Sequence, residues 1–132
     1  MGTDGFSVPK WSAYKGDFCG HHRIIVVYET VEFVQYFIVT SQVDKARIRS
    51  RFDPNSLVLI NQAEWSQLSR PSCVECSKRN LKQESKEVMK KRREAWGLTP
   101  IGDVPEAVRR RIADAIAASV TYTEQEKRLY TL

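Results

Sequence analysis

The sequence predicts an α+β fold, mainly β: a small barrel core with helices added toward the C-terminus. Three observations predict it. Two apolar, β-branched runs, Ile24–Tyr28 and Phe33–Val39, are separated only by Glu29-Thr30-Val31-Glu32, which is the spacing of a hairpin. Neither run alternates cleanly between apolar and polar residues, so both strands are expected to be buried on both faces. Helical periodicity is clear only late in the chain, from about residue 103 onward.

Residues 1–14 contain Gly, Ser and Pro and are expected to form a loosely ordered arm, with Trp11 and Tyr14 tacking it to the body. Residues 15–132 then make a single domain. Lys15-Gly16-Asp17-Phe18-Cys19-Gly20 reads as a turn and short strand ahead of the hairpin. Residues 43–54 are rich in Lys and Arg without a useful apolar period, and read as a long loop or a single helical turn ended by Asp53-Pro54-Asn55. Ser56–Ile60 and Ser72–Ser77 are short strands, joined through Trp65 and Leu68. Lys78 to Arg93 holds eight basic and two acidic residues and is expected to be a partly exposed helix over about 80–94. Gly97 and Pro100 end it. Asp103 and Pro105 start an amphipathic helix that runs to about Ser119, with Val108, Ile112, Ala115 and Ile116 on one face. Thr121-x-x-Glu124 and Thr123-x-x-Glu126 offer capping boxes for a last short helix.

The totals restrict function. A chain of 132 residues with 42% hydrophobic and 28% charged content suits one soluble domain. The net charge of +5 permits an anionic partner such as nucleic acid without requiring one. No apolar run approaches the roughly 20 residues of a membrane span, and the first residues lack the basic and apolar regions of a secretion signal. A cytoplasmic protein with no membrane partner is the expectation. Cys73 and Cys76 form a single CxxC, and Cys19 is the third thiol. Four zinc ligands are not apparent at useful spacing, so no metal and no cofactor is expected, and the thiols read as small packed side chains.

Polar residues gather at the open ends of the hairpin: His21, His22 and Arg23 before its first strand, Thr40, Ser41 and Gln42 after its second. Antiparallel pairing lays those ends side by side. Residues 21 and 23 would share a strand face.

The order of these pieces resembles the MazF/PemK-type toxins. The resemblance rests on Lys15-Gly16-Asp17, His22-Arg23-Ile24-Ile25-Val26-Val27, Phe37-Ile38-Val39-Thr40-Ser41-Gln42, Leu57-Val58-Leu59-Ile60, Ser72-Cys73-Val74-Glu75-Cys76 and a closing helix at Ile112–Ser119. Arg23 is followed by Ile24 where the family usually carries proline, and the first loop is only Cys19 to His22. The likeness implies an SH3-like barrel and a metal-independent endoribonuclease that cuts single-stranded RNA by attack of the 2′-hydroxyl on its own 3′-phosphate. It also implies a homodimer and an antitoxin protein partner. Under it, Arg23 and Thr40 are the catalytic candidates, with His21 or His22 as acid or base. Ser41, Gln42, Lys45 and Arg47 are the RNA-binding candidates. Two other readings fit the same residues: a catalytically idle barrel that binds a protein, and a basic nucleic-acid-binding module using Lys45–Arg51 and Lys78–Arg93.

Overall fold

A computed structural model describes residues 5–16, 22–95 and 97–131. The fold is α+β. A seven-stranded antiparallel sheet is built from β1 (Ser12–Lys15), β2 (Arg23–Glu29), β3 (Phe33–Thr40), β4 (Leu57–Ile60), β5 (Ser72–Glu75), β6 (Lys82–Ser85) and β7 (Thr99–Asp103). The helices are α1 (Val43–Arg49), α2 (Lys86–Glu94), α3 (Glu106–Ala118) and α4 (Glu124–Thr131). Strand order is β4-β5-β3-β2-β1-β7, with β6 also on β3. Among the described residues the sheet does not close on itself: β4 pairs only with β5, and β7 only with β1.

β3 is the hub. One edge pairs with β2 along its length. The other edge is shared end to end: Phe33–Tyr36 pair with β6, and Val39 and Thr40 pair with β5. Both faces of the hairpin are buried, as the unbroken apolar runs require. Ile24, Ile25, Val26 and Val27 are all fully inaccessible. Ile25, Val27, Phe37 and Val39 pack with α3 residues Val108, Ile112 and Ile116 and with Tyr130 of α4. Ile24, Val26, Val34 and Tyr36 pack on the other side with Val8, Tyr14, Met89 and Leu98. A bulge between Val26 and Tyr28 adds one residue to β2. It lets Tyr28 join Val27 on the α3 side and turns Glu29 to the opposite face, in register with Val34.

Four expectations are corrected. Residues 12–14, assigned to the arm from sequence, belong to the sheet: β1 begins at Ser12 between β2 and β7, and Val8 ahead of it is fully buried. The basic stretch after the hairpin forms α1, because Ala46 is a fully buried anchor in an otherwise polar run. The expected helix over 80–94 is split. Its first half is β6, captured by the free edge of β3, and Ser85 then caps α2 by accepting from Val88 N at 3.1 Å. The stretch around Pro100 is not merely a break but the edge strand β7, which tolerates proline because one of its sides is unpaired. The terminal capping box forms at Thr123 and Glu126, each side chain accepting from the other's backbone N–H at 3.1 and 2.9 Å. Thr121 instead accepts from Lys78 N at 2.9 Å. Among the described residues no helix is long and apolar enough to cross a membrane.

The turned Glu29 clamps three segments. Its carboxylate accepts from Val8 N at 2.5 Å, from the Ser7 hydroxyl at 3.1 Å and pairs with Lys86 Nζ at 2.8 Å. Lys86 Nζ also donates to Thr30 O at 2.8 Å. Burial alone pushes the Glu29 carboxyl up, but Lys86, Val8 and Ser7 together hold it below its ordinary value of 4.5. The stabilisation is therefore present above pH 4.5 and lost as pH falls through the lower folded value. Glu29→Gln leaves Lys86 short of a counter-charge and is expected to cost about 2 kcal/mol at pH 7. Urea unfolding compared at pH 7 and pH 3 checks this, with the gap between variant and wild type closing at the lower pH.

Candidate functional site

The antiparallel register decides which rim residues meet. Arg23 pairs with Val39 and Ile24 with Ile38, while Thr40 pairs with Cys73. Directly opposed residues share a face, and consecutive residues do not. Thr40 and Ile38 therefore face the side away from α3, and Arg23 with Val39 faces toward it. On the first of these faces lies an open cleft of about 250 Å³ lined by His22, Ile38, Thr40, Gln42, Arg49, Glu75, Asn80 and Lys82.

Each element contributes through its own pattern. β2 delivers His22 one residue ahead of its first paired position, held by Gly16 N donating to His22 O at 3.3 Å. β3 delivers Ile38 and Thr40. The Thr40 hydroxyl accepts from Gln42 N at 3.1 Å, which turns the chain into α1 and leaves the O–H to donate. α1 brings Arg49 over β5. Its Nη2 donates to Glu75 Oε2 at 2.7 Å and its Nε lies 3.2 Å from both carboxylate oxygens. These bonds from Glu75 raise the Arg49 pKa. The Glu75 carboxylate is nearly buried, whereas about half of the Arg49 side chain is exposed at 47%, so the pair presents its cationic end to solvent. Lys82 enters from β6, where its register with Tyr36 sets its face. Asn80 is anchored by donating to the Ser77 hydroxyl at 2.7 Å.

The predicted residues divide accordingly. His22, Thr40 and Gln42 are together in the cleft. Arg23 reaches the same rim but on the opposite face, and its Nε is buried with no hydrogen-bond partner among the described residues. Arg23 and Thr40 are thus adjacent in backbone and separated by the sheet. His21 and Cys19 lie outside the described residues. Ser41 and Lys45 are exposed and are not among the residues that line the cleft. Arg47 lines a different depression, with Leu59, Asn61 and Arg111. Glu75 was not a candidate from sequence, and Asn80 and Lys82 entered only within the basic stretch Lys78–Arg93. Glu75 is signalled by sharing the strand period of Cys73, whereas Lys82 needs the register of β6, which no local pattern contains.

The basic segment is largely committed to structure. Lys78 pairs with Glu126, Lys86 with Glu29, Lys90 with Glu94, Lys91 with Glu87 and Arg92 with Glu84. Arg93 lies 5.4 Å from the Tyr14 ring. Tyr14 is in register with Ile24, and Ile24 with Ile38 of the cleft, so the end of α2 overlies the cleft's face.

The CxxC does not act as a unit. Cys76 packs with Val74 in the α3-side cluster, and Cys73 is out of phase with it. Both are buried. Burial, then the Glu75 carboxylate, pushes the Cys73 thiol up to about 11, and burial holds the Cys76 thiol well above its ordinary value. No group of three or more potential metal-ligating side chains occurs among the described residues. A Cys19→Ser variant is expected to show no reaction with a thiol reagent at pH 8 while folded. Both remaining thiols should react after denaturation, since only exposed thiolate is nucleophilic.

No family model, curated protein or solved structure matches the chain.

Proposed function

We propose that the chain is a MazF/PemK-like toxin, a metal-independent endoribonuclease acting on single-stranded RNA in the cytoplasm. The observation that carries this reading is the meeting of His22 and Thr40 with Arg49 and Lys82 in one cleft at the hairpin rim. The reaction needs a base, an acid and a cation around one phosphate. The 2′-oxygen bonds to phosphorus as its proton passes to the base, and the bond from phosphorus to the 5′-oxygen breaks as that oxygen takes a proton. The products are a 2′,3′-cyclic phosphate and a 5′-hydroxyl. His22 serves as acid or base, its ring nitrogens able to give or to take a proton. The Thr40 hydroxyl donates to a phosphate oxygen. Arg49 and Lys82 offset the charge that builds there. Arg23, across the sheet, stands outside this arrangement. The reading also assigns the seven strands to the family's SH3-like barrel, opened between β4 and β7, and brings with it a homodimer and an antitoxin partner.

A second reading, a nucleic-acid-binding module without turnover, is favoured by two observations. Arg23 is separated from Thr40 by the sheet, and Glu75 already occupies Arg49. Digestion of single-stranded RNA in the presence of a chelator separates the two. Cutting by the wild type is expected, with His22→Ala slower by about a hundredfold or more and Thr40→Ala by about tenfold or more. Arg23→Ala is expected to stay within about threefold of wild type. RNA left intact at high protein concentration, but retained in a complex, selects the binding module. Loss of cutting in Arg23→Ala with the fold intact returns the chemistry to the arginine of the family resemblance.

A further inference from the structure

α1 and the turn after it expose large apolar groups that the core does not use. Ile48 is 63% exposed and Phe52 82% exposed. The Arg51 guanidinium sits 4.7 Å from the centroid of the Phe52 ring, and its Nη1 donates to Ile48 O at 2.8 Å. A flat ring is thus held in the open, backed by a cation that is itself tied to the helix end.

The surroundings are positive. Lys45, Arg47, Arg51 and Arg79 are exposed, and Arg79 donates to the Arg49 carbonyl. Of the nearby carboxylates, Glu75 is engaged by Arg49 and Asp53 accepts from the Ser119 hydroxyl and Val120 N, leaving only Asp44 of α1 on this stretch. Arg49, at the end of α1 just before this turn, itself lines the cleft. Phe52 follows Arg49 by three residues, a reach of at most about 11 Å, or roughly three stacked nucleotides. An open aromatic ring among cations is the chemistry of single-stranded nucleic-acid binding: the ring stacks a base of any identity and the cations take the phosphates. Val31 and Val120 are equally exposed but offer no ring.

We infer that Phe52, backed by Arg51, is the stacking platform for an unpaired base of the strand whose phosphate lies in the cleft. The inference rests on the nuclease reading and extends it by naming where a further nucleotide of the same strand binds. Because Phe52 is nearly fully exposed, its replacement should leave folding intact, as circular dichroism can verify.

The probe is an uncleavable 2′-deoxy oligouridine strand, compared with an abasic strand of the same length and charge. Phe52→Ala should weaken binding of the base-bearing strand about tenfold. It should leave the abasic strand and the salt dependence unchanged, whereas Arg51→Gln should lower the salt slope by about one. Phe52→Trp should restore affinity, and the emission of the introduced indole should be quenched by the base-bearing strand only. Affinity of Phe52→Ala within about twofold of wild type, in protein that still cuts RNA, overturns the inference alone. So does an indole emission in Phe52→Trp that ignores saturating strand, or one that shifts with protein concentration by itself and so assigns the surface to a second copy. A wild type that neither binds nor cuts single strands overturns the nuclease reading together with the inference.

Discussion

The register between β2 and β3 is the constraint on which the rest depends. Pairing Arg23 with Val39 and Ile24 with Ile38 assigns every residue of the hairpin to a face. A slip of one residue would send Ile25, Val27, Phe37 and Val39 away from α3 and expose the opposite set to the wrong partners. All four are at most 4% exposed, so the cost of a slip would be the burial free energy of several large side chains, each about 1.5–3 kcal/mol. The same register fixes the cleft. Thr40, in register with Cys73 of β5, falls on the same face as half-buried Ile38.

The two faces are closed by different means. On one side α3 supplies a stripe of Val108, Ile112 and Ile116, and Tyr122 adds a hydrogen bond from its hydroxyl to Cys76 O at 2.7 Å. On the other, the cover is assembled from pieces remote in sequence: the segment around Val8, then Met89 of α2 and Leu98. Such a cover needs a polar tie, and the Glu29–Lys86 pair supplies it where the hairpin turn, the arm and the start of α2 converge. The bulge at Val26–Tyr28 is what turns Glu29 toward that junction. A regular β2 would aim it at the α3-side face, away from Lys86.

Much of this was legible from residues alone. The hairpin, β4, β5, α3 and the last helix were visible because each carries its period locally. Burial of the hairpin on both faces followed from its unbroken apolar runs. β6 and β7 were not visible, since Lys-Gln-Glu-Ser and Thr-Pro-Ile-Gly-Asp have weak strand propensity; the unpaired edges of β3 and β1 recruit them. Of the site, proximity at the rim was legible but facing was not. Counting back from Val39 to Arg23 requires the register, and the register depends on the turn at Thr30, whose hydroxyl accepts from Glu32 N and Phe33 N. Arg49 stood out only as one of several basic residues until α1 placed it over Glu75.

The central claim is that the hairpin's pleat gathers His22 and Thr40 on the face that meets substrate phosphate and leaves Arg23 on the other. Nuclear magnetic resonance of the labelled protein, titrated with a short uncleavable DNA strand, tests it most directly. The His22 ring, Thr40 methyl and Lys82 signals should move together and saturate at one concentration, while the Arg23 Nε–H and Val39 methyls stay in place. Movement of Arg23 and Val39 with a silent His22 and Thr40 would contradict the account.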